Sequence, residues 1–294
     1  MQADGFQHNG GMQSWIDDQR LAFRSTGEGF PLEAIYIVDA DSGEVLHTPI
    51  ITGEGCISHR AVNHKLPFGI KTDEEIRQNR DAYPEIDEQG IYVFDCDTGK
   101  VEKIIASETV LSLLRGQGYT LIDESPKIAH VNPNYDFSRV MARWVVQSGP
   151  AVVSCDPDGG NMIVCPRRPL HILWFDNDTY FGADETSSEP DKRRQIYRCH
   201  QDGTKVETLA GQGNHIDGSP DRQWFVGDSK GFDWAPPHKI RLFRRGNTEP
   251  VAELARHEFD RPVMRLKAHA NPVFSRDGKR VYFNHMVAPM KEHA

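Results

Sequence analysis

Apolar and polar positions alternate at period two in short runs along the whole chain, and the runs fall into two recurring kinds. In the first, a strand of β-branched and aromatic residues meets a turn built on Asp and Gly, and a second strand follows. Its copies are IYIVDADSGEVLHTPI from Ile35, IYVFDCDTGKVEKII from Ile91, AVVSCDPDGGNMIV from Ala151, IYRCHQDGTKVETLA from Ile196 and IRLFRRGNTEPVAELA from Ile240. In the second kind, a short apolar segment leads through an Asp-containing turn into an alternating strand. These copies are MQSWIDDQRLAFRS from Met12, HVNPNYDFSRVMARWVV from His130, HILWFDNDTYFGAD from His171, HIDGSPDRQWFVGDS from His215 and HANPVFSRDGKRVYFN from His269, with ISHRAVNHKLPFGI from Ile57 as a degenerate sixth. Alternation flanked by such turns is what antiparallel hairpins require.

The two kinds of hairpin alternate, so each pair makes a four-stranded unit recurring about every 40 to 55 residues, the dimensions of a β-propeller. The fold class expected is therefore all-β, one propeller domain over residues 1–294, with the second kind forming the inner hairpins and the first the outer ones. Six inner hairpins and five outer ones do not close a ring, so the count predicts a seven-bladed propeller truncated to about six blades. Two insertions interrupt the series. Residues 71–90 are polar and charged, and SETVLSLLRGQG from Ser107 predicts a helix capped by Ser107 and stopped at Gly116, an insertion near 106–118.

Composition narrows the class of function. Acidic residues number 43 against 34 basic ones, for a net charge of −9, and no run of Lys and Arg is interleaved with aromatics, which argues against nucleic acid. An acidic chain can still bind an anion where a few arginines focus a positive field in a cleft. No apolar run reaches a membrane span and no signal peptide heads the sequence, so a cytoplasmic protein with no membrane partner is expected. The five cysteines, Cys56, Cys96, Cys155, Cys165 and Cys199, lie mostly in strand-like runs and are expected as packed free thiols. No GxSxG elbow is present, and the Asp residues sit mainly in turns, so a hydrolase lacks support.

Histidine marks the inner hairpins: His8, His59, His130, His171, His215 and His269 each stand at or just before the start of one. Inner strands of a propeller share one direction, so these positions converge on one mouth of the central channel. Clustered imidazoles suit metal ligation or general base catalysis. His269 and Asn271 share one side of an extended strand and, with His215, would supply two nitrogens and an oxygen, a set suited to Mn²⁺ or a similar divalent ion. Arg143 and Arg168 are the arginines chosen to face a substrate carboxylate, with Arg139 and Arg167 as near equivalents. Trp15, Trp144, Trp174 and Trp224, one per inner hairpin, read as packing between blades.

The series HNGGMQSW, HVNPNYDFSR, PLHILWFDND, GNHIDGSPD and KAHANPVFSRDGKRVYFN resembles the oligogalacturonate lyase family of polysaccharide lyases over nearly the whole chain. The resemblance implies a seven-bladed propeller that cleaves oligogalacturonides by β-elimination with a histidine base, an arginine and a histidine-bound Mn²⁺. Residue by residue, it implies His171 as the base, His215 as the first metal ligand and His269 as another. Asn271 stands where the family has a second histidine, and Leu266 falls near the place of its glutamine. His130, Asn132, His59 and His8 are assigned to oligosaccharide contact. The alternative of a different class is a non-catalytic propeller that binds carbohydrate or a protein.

Overall fold

The computed structural model describes residues 14–25, 34–52, 57–58, 60–121, 127–147, 149–167, 170–184, 195–213, 215–228, 238–257, 272–275 and 277–283. Within them the chain is an all-β propeller built of antiparallel blades in sequence order. The first blade is β1 (Ser14–Trp15), β2 (Arg20–Ser25), β3 (Ala34–Asp39) and β4 (Ile50–Ile51), hydrogen-bonded in that order. The second is β5 (Lys65–Ile70), β6 (Gly90–Asp95) and β7 (Val101–Ala106), with Ile57 bridging to Phe68 in the place of an innermost strand. The third is β8 (Lys127–Pro133), β9 (Val140–Val146), β10 (Gly149–Cys155) and β11 (Ile163–Cys165).

Two further blades complete the described set, β12 (Leu170–Trp174) to β15 (Lys205–Gln212) through β13 (Thr179–Ala183) and β14 (Gln195–His200), then β16 (Ile216–Gly218) to β19 (Ala252–His257) through β17 (Trp224–Asp228) and β18 (His238–Arg244). A last hairpin pairs β20 (Val273–Phe274) with β21 (Val281–Tyr282). The partition into inner and outer hairpins follows the sequence expectation. The described residues supply five blades and one further inner hairpin, and the expected reading of about six blades from a seven-bladed ring is not confirmed among them.

The core lies between blades, and period two explains how. Along β6, Ile91 and Val93 pack toward the third blade with Val140, Trp144 and Ile128, while Tyr92 and Phe94, with Phe68 of their own blade, pack toward Ile35 and Ile37 of the first. Likewise Phe181 and Phe225 fill the interface of the fourth and fifth blades, and Tyr180, Trp174 and Met141 that of the third and fourth. A strand buried on both faces must be apolar throughout, which is why the central runs read IYVF and TYFGA. Trp144 and Trp174 are each 1% exposed and serve as packing, as expected. The described cysteines are buried free thiols, and burial pushes those of Cys155 and Cys199 up to about 11.

The Asp-Gly turns are reused devices. Asp39 Oδ1 accepts the backbone N–H groups of Asp41 and Ser42, Asp95 Oδ1 those of Asp97 and Thr98, and Gly43 and Gly99 close the two turns at φ +73° and +70°.

Both insertions are helical. α2 (Ser107–Gly116) forms where expected, but Ser107 is its first helical residue: Ala106 stands at the cap with no side-chain bond, and the left-handed turn after the helix falls on Gly118 rather than Gly116. α1 (Asp73–Asn79) lies in the segment expected only as polar insertion, closed by a capping box in which Thr72 and Glu75 exchange bonds. Its Asn79 accepts from Ile51 N–H at 2.9 Å and donates to the Ile51 carbonyl at 2.6 Å, so a side-chain amide pairs the outer strand β4 where a neighbouring strand would otherwise sit.

Candidate functional site

Three histidines from successive inner strands bring their rings together in one row. The rings of His130 and His171 stand edge to face with centroids 4.9 Å apart, and those of His171 and His215 are tilted with centroids 4.4 Å apart. His130 is 1% exposed, His171 6% and His215 5%, so the row is sunk in the protein. Their backbone explains the convergence. β8 pairs irregularly with β9 between Ala129 and Asn132, and β12 with β13 between Leu170 and Leu173. His130 and His171 occupy these two bulges with φ of +55° and +53°. An extra residue in a bulge re-aims its side chain out of the pleat, and the left-handed backbone that permits this is unfavourable for a branched ring system unless the surroundings hold it.

His215 is held differently. Its ring Nδ1 lies 2.6 Å from Asp228 Oδ2, and its backbone N–H donates to Asp228 Oδ1 at 2.9 Å. The carboxylate fixes the ring through Nδ1, an arrangement in which a carboxylate backs a histidine. Asp228 was not singled out from sequence. Its signal is the hairpin register, since Ile216 faces Gly227 and His215 therefore faces Asp228.

The remaining sequence candidates divide. Arg143 lies on β9 opposite Ala129, one residue before His130, so the register sets it at the level of the histidine row. Arg139 is engaged elsewhere, with Asp156 at 2.7 Å, Ser154 Oγ at 2.7 Å and the Asn161 carbonyl at 2.9 Å. Arg167 donates to the Gly203 carbonyl at 2.6 Å and lies over the Tyr197 ring. Asn132 is buried, donates to the Ile172 carbonyl at 3.0 Å, and receives Trp174 Nε1–H on its own carbonyl at 3.0 Å, so it ties the third blade to the fourth. His8, His59, Arg168, His269 and Asn271 lie outside the described residues. Among the described residues no group of three or more His, Cys, Asp and Glu side chains is placed to hold a metal ion. No described helix is long and apolar enough to cross a membrane.

No protein-family model and no curated protein matches the sequence. Solved structures do share its fold. A TolB candidate from Agrobacterium tumefaciens superposes with a TM-score of 0.57 at 14% identity, covering 94% of this chain and 90% of that one. An oligogalacturonate lyase in complex with manganese gives 0.50 at 16% identity, covering 96% of this chain and 85% of its own. TolB from Acinetobacter baumannii gives 0.50 at 14% identity over 79% of this chain, which spans about half of that protein's length, 51%. At these identities the likeness shows the fold, a β-propeller.

Proposed function

We propose that the histidine mouth is a lyase site that cleaves uronate-containing oligosaccharides, of the oligogalacturonide type, by β-elimination. The observation that carries this reading is the buried row itself, with His171 at its centre between two imidazoles and with one of those, His215, fixed by a buried carboxylate. The fold shared with oligogalacturonate lyase supports it.

In the proposed reaction His171 takes the proton at C5 of the uronate. The electron pair left at C5 forms the C4=C5 double bond, the C4–O bond breaks, and the glycosidic oxygen leaves with its pair and is protonated. A C5 proton is acidic only when the charge of the adjacent carboxylate is offset, and Arg143, at the level of the row, is assigned that role together with Arg168. His130 and His215 position the sugar and shield the base from bulk water, so that each charge interaction acts in a less polarisable medium. Mn²⁺ bound by His215, His269 and Asn271 would add charge neutralisation at the same carboxylate. His215, backed by Asp228, is the described member of that set.

The test is absorbance at the ultraviolet band of the unsaturated product while oligogalacturonides are incubated with the full chain, with and without added Mn²⁺. The expected outcome is a rising signal that falls by about 10²- to 10⁴-fold in His171→Ala, the usual worth of a positioned base. Full activity in His171→Ala, or no product from the folded protein, would overturn the lyase reading. Sugar binding without product would establish a carbohydrate-binding propeller.

A further inference from the structure

At the far ends of the same inner strands lies a second site of different chemistry. A cavity of about 310 Å³ opens among the inner hairpins, walled by Trp15, Phe274 and Tyr282 on its apolar side and by Arg60, Asp217 and Arg222 on its polar side. Its wall residues follow the histidines along each strand: Leu173 two positions after His171, Gly218 three after His215, Tyr135 five after His130. At a rise of about 3.3 Å per residue that separates the two sites by roughly 7 to 16 Å.

The cavity concentrates positive charge inside an acidic protein of net charge −9. Arg222 is 8% exposed. Its Nε donates to the Phe175 carbonyl at 3.0 Å and its Nη1 to the carbonyls of Gly218 and Ser219 at 3.0 and 3.1 Å, while its Nη2 has no partner among the described residues. Nη1 of Arg60 likewise has none among them. Both guanidinium groups lie over the Tyr135 ring, 4.0 and 4.8 Å from its centroid. Asp217 is the carboxylate among the described wall residues, and its Oδ2 already accepts the Phe274 N–H at 2.8 Å. Burial followed by the like charge of Arg60 brings Arg222 down to about 9. Two guanidinium groups enclosed with one carboxylate leave a positive surplus that a further negative charge relieves.

The backbone is built to hold Arg222 there. In the SPDRQ turn Arg222 has φ +58°, whereas the matching position of the SRDGK turn is Gly278 at φ +70°. The two turns are otherwise alike, with Ser219 bonded to Asp221 at 2.5 Å and Ser275 to Asp277 at 2.6 Å. A long side chain in a left-handed position costs about 1 kcal/mol, and such positions persist where the surroundings fix them for a purpose. Beneath it Gly218 leaves the space: a Cβ there would stand 3.0 Å from Arg222 Nη1 and 3.1 Å from the Phe225 ring.

We propose that this cavity binds a small organic acid, its carboxylate clasped by Arg60 and Arg222 and its apolar body lying against Trp15, Phe274 and Tyr282. A planar carboxylate matches the guanidinium fork, and the resident Asp217 disfavours a compact dianion such as phosphate. The site is independent of the histidine mouth.

Isothermal titration calorimetry on the full chain tests it, with 3-phenylpropionate as probe, its amide as the uncharged control and inorganic phosphate as the rival anion. The acid is expected to bind, the amide at least tenfold more weakly, and phosphate more weakly than the acid. Arg60→Gln is expected to lower affinity for the acid tenfold or more, and Tyr282→Ala, at a side chain 44% exposed and tolerant of change, several-fold. His171→Ala should leave binding untouched, which separates this site from the lyase reading. Absence of acid binding, equal binding of amide and acid, tighter binding of phosphate, or unchanged affinity in both folded cavity variants would overturn the assignment.

Discussion

The two ends of the inner strands present contrasting chemistry on one repeated backbone. At the starts, His130, His171 and His215 form a sunken row of imidazoles backed by Asp228. At the far ends, Arg60 and Arg222 share a cavity with Asp217 and a ring of aromatics. Each end uses the same device to turn a functional side chain inward, a left-handed backbone at a residue other than glycine: His130 and His171 at one end, Arg222 at the other. They differ in how charge is settled. His215 and Asp228 are hydrogen-bonded one to one, whereas the arginine end holds more cation than carboxylate. A matched end is expected to hold the fold together more than an unmatched one, whose surplus is available to a ligand.

The largest effect should come from breaking the matched pair. Asp228→Ala removes the acceptor of two buried bonds and is expected to cost about 3 kcal/mol in urea unfolding, while Asp228→Asn, which keeps an acceptor for the His215 backbone, should cost less. At the other end, Arg222→Gly exchanges three carbonyl contacts for relief of the left-handed backbone, and Arg222→Ala loses the contacts without the relief. The alanine variant should therefore be about 1 kcal/mol less stable than the glycine variant, and the reverse order would remove the argument from backbone strain.

A further test lies in pH dependence. The folded Asp217 titrates near 6 and the unfolded one near 3.8, so between those values the folded state binds more protons. This group's contribution is complete below 3.8 and is lost as pH rises toward 6. Asp217→Asn should flatten the stability profile across that window, and an unchanged slope would show that Asp217 is not the group responsible.

Much of this molecule is legible from residues alone, and the unread parts have particular causes. Alternation at Ile91 to Phe94 and the Asp-Gly turns announce blades because the same residues recur wherever the same geometry recurs. Histidine at the start of inner hairpins announces the mouth for the same reason. α1 escaped because a seven-residue helix with one apolar side chain, Ile76, carries no periodicity, although Thr72 and Glu75 spell its cap. Arg139 and Arg143 could not be separated by spacing. What separates them is where Asp156 and Ser154 fall across the blade, and that depends on strand register. Arg222 was visible only as an arginine in a glycine's place, a departure between two turns of one sequence whose inward direction needs three dimensions to read.

One strand, Ile91 to Phe94, sends alternate side chains into two separate interfaces, and the pattern holds from blade to blade. Damage in such an arrangement is shared only with adjacent blades, so cooperativity has a length, measured in blades rather than in ångströms. A cavity cut at Phe225 should speed hydrogen exchange in the fourth and fifth blades and leave the strands of the first blade at their original rates. The two mouths therefore can drift apart in sequence over time, each tuned by its own local contacts, while the scaffold between them stays the same.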